Sequence, residues 1–218
     1  MKREKLKFGI PLFDYILEGG LSSSSFTVIY GYPYNGFFYL PKMLIKSALS
    51  KEERKVFLVS SFSPSHLSLS SILQSRGSED NFYFLHSSPL SSLSKDIEFI
   101  EFHVKKESLI LIVIPKSIYY VSLILKRKPT SFIDFSHMNR IFAFLKYFAL
   151  KYDTYSVFIM YIDPLLDETD IPLSMLPVMW ADNVIKLEKS PGGKIYIKAM
   201  KGCRRMGLSL SLDVSTNE

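Results

Sequence analysis

Four apolar runs rich in β-branched and aromatic residues constrain the fold of this chain more than any other feature. They lie at residues 26–30, 56–59, 109–114 and 156–162. The runs are continuous and do not alternate between apolar and polar residues, as expected for strands that are buried on both faces. Strands of this kind form parallel sheets covered by helices on both sides, so the runs predict the core of an α/β protein.

Segments with helical periodicity separate these runs. One spans residues 40–49, and a more regular one spans residues 136–152, with Ser136 or Asp134 as a candidate N-cap. The serine-rich stretch 60–94 reads as a surface helix and loops around a strand-like segment at 82–85. Strands that alternate with helices predict βαβ units and a mainly parallel sheet.

The carboxyl-terminal region has a different pattern. Residues 183–187, 194–200 and 207–212 read as three short strands, and Pro191-Gly192-Gly193 between the first two is typical of a hairpin turn. We therefore expect an antiparallel set of strands, within a basic hairpin region at 183–212, to close one edge of the sheet.

Length and composition narrow the class of protein further. The 218 residues correspond to one domain, which we place at 1–218, and 47% apolar residues exclude a disordered chain. The single cysteine, Cys203, excludes an intrachain disulfide and a zinc site built on several thiolates.

The start of the sequence has no secretory signal, and Pro115 and Lys116 interrupt the apolar stretch 109–125. We expect a cytoplasmic protein without a membrane span.

The segment after the first run has the glycine spacing of a phosphate-binding P-loop but lacks the residues that bind phosphate and Mg²⁺. Residues 31–36 read Gly-Tyr-Pro-Tyr-Asn-Gly, which is the spacing G-x-x-x-x-G between a strand and a helix. A working P-loop continues with Lys and with Ser or Thr, whereas this chain has Phe37 and Phe38. Pro41 has no backbone N–H and is expected to delay the helix to about residue 40. Gly31 and Gly36 therefore indicate a vestigial loop at which we expect no nucleotide binding.

Two further segments resemble a known family. Residues 9–21 read Gly-Ile-Pro-Leu-Phe-Asp-Tyr-Ile-Leu-Glu-Gly-Gly-Leu, similar to the G-I-P-x-x-D-x-x-L-x-G-G-L entry segment of RecA-superfamily ATPases of the KaiC and archaeal RadA-paralogue type. Residues 181–187 read Ala-Asp-Asn-Val-Ile-Lys-Leu and resemble that family's A-D-x-V-I-x-L strand. The resemblance extends over about residues 8–214. It implies a RecA-like fold in which ATP sits at the carboxyl ends of the strands, usually between neighbouring subunits.

The family's catalytic residues have no counterparts at the matching positions. The resemblance places the P-loop lysine at Phe37, the Mg²⁺ ligand at Phe38, the catalytic glutamate at Ser63 and the Walker B aspartate at Pro115. Lys201 keeps a charge where the family's hairpin has Lys-x-Arg. Because phosphoryl transfer depends on these groups, we expect a pseudo-ATPase with no catalytic residue. The four histidines are dispersed, so we also expect no metal site and no cofactor.

Aromatic side chains crowd the loop that is polar and glycine-rich in the family. They are Tyr32, Tyr34, Phe37, Phe38 and Tyr39. Two interpretations are open: these residues plug the former nucleotide site, or they form an exposed apolar patch that docks a partner. Because the family assembles through this surface, they are candidates for an interface with another RecA-family subunit or a second copy.

The net charge of +6 lies in one segment. Residues 186–205 carry seven basic residues and one acid, which leaves 20 residues of each sign elsewhere. The candidates for DNA binding are Lys194, Lys198, Lys201, Arg204 and Arg205. Strand alternation predicts Lys194, Tyr196, Lys198 and Met200 on one face. Lysines on this strand could equally protect an exposed sheet edge from aggregation.

The acidic loop 163–179 is expected to repel phosphate, so any DNA contact would lie outside the family's usual channel.

These patterns favour a non-catalytic accessory or regulatory subunit. The resemblance to RadA paralogues implies a role in homologous recombination or DNA repair. The alternative is a KaiC-like regulatory or scaffold protein with a protein partner and no role at DNA. A third class, an enzyme with a repurposed site, is disfavoured because the strand ends carry no new polar constellation.

Overall fold

A central sheet with helices on both sides organises the chain. The computed structural model describes residues 4–31, 39–60, 69–70, 72, 78–86, 90–114, 131–161, 179–189, 195–202 and 209–212. The strands are β1 (Lys5–Leu6), β2 (Leu21–Ser22), β3 (Ser25–Gly31), β4 (Val56–Ser60), β5 (Phe82–His86), β6 (Leu109–Ile114), β7 (Tyr155–Tyr161), β8 (Asn183–Lys189), β9 (Ile195–Lys201) and β10 (Ser209–Leu212). The helices are α1 (Pro11–Ile16), α2 (Tyr39–Ala48), α3 (Leu90–His103) and α4 (Ser131–Tyr152), with a 3₁₀ turn at Ser78–Asn81.

Eight strands form the main sheet, in the order β10-β9-β8-β3-β7-β6-β4-β5. The strands from β8 to β5 pair in parallel, whereas β9 is antiparallel to β8 and β10 is antiparallel to β9. This confirms the predicted α/β class, with a mostly parallel sheet and an antiparallel set at one edge. The ends of the eight predicted strand segments, including the strand-like segment at 82–85, each lie within two residues of the ends of an observed strand. The short strands β1 and β2 form a separate antiparallel pair.

The central strands are buried on both faces, which explains their continuous apolar sequences. Ile29 of β3 and Leu111 of β6 belong to a core layer shared with α1 and α2. Their neighbours Val28 and Ile112 belong to a second layer shared with α3 and α4. Alternate residues of each strand therefore meet different helices.

Helix α4 begins earlier than predicted. It starts at Ser131, five residues before Ser136, so Asp134 and Ser136 lie inside the helix and neither is its N-cap. The apolar residues that fix this helix in the core, Met138, Ile141, Phe142, Leu145 and Phe148, all lie farther along the chain. They determine which face is buried but give no signal for the first turn.

Helix α3 is longer than the surface helix expected within residues 60–94. It runs from Leu90 to His103 and buries Leu93, Ile97 and Ile100 at helical spacing. Three serines in its first turns, Ser91, Ser92 and Ser94, have modest helix propensity and obscured the pattern. Its apolar face packs on the same side of the sheet as α4.

The apolar stretch 109–125 includes β6, and its remaining residues lie outside the described part of the chain. Among the helices that the structure describes, none has both the length and the apolar character needed to cross a bilayer.

Two nearby positions on α3 test how this helix is packed. Ile100 is fully buried, whereas Phe102 is 87% exposed. We expect Ile100→Ala to lower the free energy of unfolding by about 2–4 kcal/mol, because it leaves a cavity under the helix. Phe102→Ala should change the free energy of unfolding of the monomer by less than about 0.5 kcal/mol. Urea denaturation of both variants measures the difference, and equal losses would contradict this packing.

Candidate functional site

The candidate site lies where four neighbouring parallel strands end. β3 ends at Gly31, β4 at Ser60, β6 at Ile114 and β7 at Tyr161. The pairing places Gly31 beside Tyr161, Ile114 beside Met160 and Ser60 beside Val113, so these ends meet at one edge of the sheet. The positions that the resemblance assigns to the P-loop, the catalytic base and the Walker B aspartate follow three of these strands. Those positions, Phe37, Phe38, Ser63 and Pro115, lie outside the described residues, as does Gly36.

Gly31 is required by the packing of the sheet. A Cβ atom at this position would lie 2.4 Å from the carbonyl oxygen of Leu187 and 2.6 Å from its Cβ. Both distances are far below a normal contact, so only glycine allows β8 to approach β3 here. The first glycine of the P-loop frame therefore has a structural role that does not depend on phosphate.

Helix α2 begins at Tyr39, close to the predicted start at about residue 40. Pro41 is the third residue of the helix, so one backbone N–H of the first turn is missing. The Pro41 ring and Leu40 are buried, whereas the Tyr39 side chain is 49% exposed. Tyr39 is the one partner-interface candidate within the described residues, and Tyr32, Tyr34, Phe37 and Phe38 lie outside them.

Few polar side chains of the described residues lie at these strand ends. The Ser60 hydroxyl is buried at the end of β4. On β8, Lys186 and Glu188 form an ion pair with a distance of 2.8 Å from Nζ to Oε1. Within the part of the chain that the structure describes, no cluster of three or more His, Cys, Asp or Glu residues could hold a metal ion.

The basic hairpin alternates as predicted along β9. Ile195, Ile197 and Ala199 are buried, whereas Tyr196 and Lys198 are half-buried and Met200 is 39% exposed. Lys198 pairs in register with Lys186 of β8, so these residues lie on the same face of the sheet as α3 and α4. This alternation supports one common face for Tyr196, Lys198 and Met200.

The remaining DNA-binding candidates fall in different places. Lys201 lies at the end of β9, where its Nζ donates a hydrogen bond of 2.8 Å to the carbonyl oxygen of Ala181. Lys194, Arg204 and Arg205 lie outside the described residues. The structure therefore brings Lys198 and Tyr196 together and directs Lys201 to the backbone before β8.

The entry segment is held together by Asp14. Its carboxylate accepts hydrogen bonds from the backbone N–H of Phe8 at 2.7 Å and of Gly9 at 3.2 Å. Gly9 has φ of 73°, which favours glycine. A Cβ on Gly20, at φ of 122°, would lie 2.4 Å from the carbonyl oxygen of Leu6. The Asp and glycine positions that carry the resemblance in this segment therefore determine its backbone path.

The second matching segment joins β8 to β3 through Asp182. The Asp182 carboxylate accepts a hydrogen bond of 2.8 Å from the backbone N–H of Phe26, and the Asp182 N–H donates to the Phe26 carbonyl, also at 2.8 Å. Lys146 of α4 forms an ion pair with the same carboxylate. The Nδ2 of Asn183 donates to the Thr27 hydroxyl at 3.1 Å. These contacts lie at the amino ends of the strands, opposite to the candidate site.

A buried arginine at the amino end of β4 was not anticipated from the sequence. Arg54 is 5% exposed, its guanidinium lies over the Tyr155 ring at 5.1 Å, and its Nη2 lies 3.6 Å from Glu107. Burial raises the pKa of Tyr155, whose hydroxyl donates to the carbonyl oxygen of Glu4 at 3.0 Å. Within the sequence, Arg54 is one of several charged residues in a loop, and only the packing distinguishes it.

The architecture is that of a RecA-like α/β fold. One solved structure with this fold is that of the RadB recombinase, which matches with a TM-score of 0.66 and 19% sequence identity over 94% of each chain. Matches to solved structures comprise 709 chains, so the fold is widespread and does not by itself specify an activity. No family model matches the chain. No curated protein matches it either.

The contacts of Asp182 can be tested by two substitutions. Asp182→Ala leaves the buried N–H of Phe26 without its acceptor, and we expect the free energy of unfolding to fall by about 1–3 kcal/mol. Asp182→Asn keeps an acceptor oxygen and should cost less, since it loses mainly a partly exposed ion pair. Chemical denaturation measures both losses. A loss for Asp182→Ala no larger than that for Asp182→Asn would contradict this role.

Proposed function

We propose that this chain is a RecA-like protein that does not hydrolyse ATP and acts as an accessory or regulatory subunit in homologous recombination or DNA repair. The observation that carries the proposal is a recombinase-like fold over nearly the whole chain, combined with Phe37 and Phe38 in the P-loop frame. Its partner is another RecA-family subunit or a second copy.

Three features near the strand ends support the loss of ATP hydrolysis. The parallel pairing brings the ends of β3, β4 and β6 to one edge, so the substituted positions follow strands that share a site. Pro41 removes a donor from the first turn of α2, which is the part of a helix that binds phosphate. Gly31 is explained by its contact with Leu187, so its presence does not imply a bound nucleotide.

ATP hydrolysis tests this part of the proposal. We expect the purified protein to release no phosphate from ATP in a saturable, Mg²⁺-dependent manner. The double substitution Phe37→Lys with Phe38→Thr should not restore activity, because Pro115 and Ser63 still occupy the positions of the aspartate and glutamate. A phosphate-release assay gives the measurement.

The control for this assay is Gly36→Asp, which introduces a negative charge into the loop. Turnover that this substitution abolishes would belong to the protein and would refute the proposal. Turnover that it leaves unchanged would come from a contaminating enzyme.

The DNA-related part of the proposal rests on the basic hairpin. Lys198 and Tyr196 share one face of β9, where a cation and an aromatic ring can contact the phosphates and bases of a single strand. Lys194, Arg204 and Arg205 belong to the same region of the sequence and add positive charge. This face lies outside the strand-end site.

Salt-dependent binding of single- and double-stranded DNA tests this role. We expect Lys198→Glu and Arg204→Glu to weaken binding and to reduce its salt dependence, because each removes a phosphate contact. A matched control is Lys46→Glu, which makes the same charge change at an exposed position on α2, on the opposite face of the sheet. Fluorescence anisotropy measures the affinities, and equal weakening by all three variants would contradict a specific basic face.

The alternative is a regulatory or scaffold protein without a role at DNA. One observation favours it: Lys186 pairs with Glu188, and Lys201 binds the Ala181 carbonyl, so two cations of the basic segment already have partners within the chain. No DNA binding at about 50 mM salt or below would select this alternative, because electrostatic binding is strongest at low salt.

A further inference from the structure

Exposed apolar side chains are concentrated at the carboxyl ends of α3 and α4. Phe102 is 87% exposed and Leu150 is 62% exposed, and Tyr147 and Phe99 are each more than a third exposed. Within the described residues these are four of the eight large apolar side chains with such exposure. We call these four residues, Phe99, Phe102, Tyr147 and Leu150, the α3–α4 patch.

The α3–α4 patch is one surface, because its two helices lie side by side. Within each helix the patch residues are three positions apart and therefore face the same side. The Tyr147 hydroxyl of α4 donates to Oε1 of Glu101 on α3 at 3.4 Å. Farther along, Nη2 of Arg140 lies 3.5 Å from Oε1 of Glu98. These contacts hold the exposed side chains of both helices next to each other.

Charges of opposite sign flank the α3–α4 patch, one on each helix. Glu101 lies on α3, and Lys151 lies on α4, where its ammonium is 4.9 Å from the centres of the Tyr147 and Tyr152 rings. Both side chains contact the Tyr147 hydroxyl. Among the described residues, neither has an ion pair with an oppositely charged side chain.

We propose that the α3–α4 patch binds the same patch of a second copy of this chain around a two-fold axis. In such a contact α3 of each copy faces α4 of the other. Glu101 of each copy then meets Lys151 of the other, and Phe102 and Leu150 lose contact with water between them. The acid on one helix and the base on the other make the surface complementary to itself.

This surface offers no excess of positive charge to nucleic acid, because Glu98 pairs with Arg140 and Glu101 lies at the same Tyr147 hydroxyl as Lys151. The surface is also separate from the candidate site. α3 and α4 precede the parallel strands β6 and β7, so their carboxyl ends lie near the amino ends of those strands. The dimer contact therefore leaves the carboxyl ends of the strands and Tyr39 available to a different subunit.

Sedimentation of the full chain tests the contact. We expect a reversible dimer with a dissociation constant on the order of 10 µM. Phe102→Asp and Leu150→Asp should each weaken self-association by at least about tenfold, because each places a charge in the apolar centre. Tyr15→Asp is the control, since Tyr15 is 51% exposed on α1 at the other face of the sheet. Circular dichroism checks that every variant is folded.

A charge exchange distinguishes self-association through this patch from other contacts. Glu101→Lys places two lysines opposite each other, and Lys151→Glu does the same with two glutamates, so each variant alone should dimerise more weakly. A mixture of the two variants should form a heterodimer with wild-type affinity, because both pairs are again of opposite sign. A wild-type chain that is monomeric up to about 100 µM would overturn the proposal. A dimer insensitive to these substitutions, or no recovery in the mixture, would also overturn it.

Discussion

Burial of the parallel strands on both faces is the constraint on which the rest of the structure depends. Each of β3, β6 and β7 directs alternate residues into two separate core layers. A strand in this position accepts almost no polar side chain except at its ends. Polar groups that could act on a ligand are therefore confined to the strand ends and the loops. In this chain the amino ends of the strands carry contacts that stabilise the fold, and the carboxyl ends form the candidate site.

The amino ends of the strands carry the contacts that hold the fold together. Asp182 fixes β8 and α4 to the start of β3, and Arg54 packs on Tyr155 at the start of β7. Asp14 organises the entry segment. The residues through which the sequence resembles RecA-superfamily proteins thus have structural roles that do not depend on ATP chemistry. On our proposal, selection for the fold preserved them while the positions at the carboxyl ends changed.

Much of the fold was predictable because its signals are local. Continuous apolar runs predicted the strands within two residues, and Pro41 predicted the start of α2. The first turn of α4 and most of α3 were not predicted, since Ser91, Ser92 and Ser94 interrupt the helical pattern of α3 and the periodic apolar residues of α4 lie farther along the chain. At the candidate site, the apolar runs predicted a mainly parallel sheet, and the resemblance assigned Phe37, Ser63 and Pro115 to positions that follow three of its strands. The partners of Lys186 and Lys201 depend on long-range pairing, which a sequence pattern does not specify.

Our central proposal is that the site at the strand ends no longer binds ATP together with Mg²⁺. Calorimetric titration with ATP, with and without Mg²⁺, tests this claim most directly because it does not depend on turnover. A lysine and a metal ligand in the P-loop make Mg²⁺ essential for tight binding, whereas Phe37 and Phe38 supply neither. We expect either no binding of ATP or weak binding whose affinity is the same with and without Mg²⁺. Saturable binding that Mg²⁺ strengthens tenfold or more would contradict it.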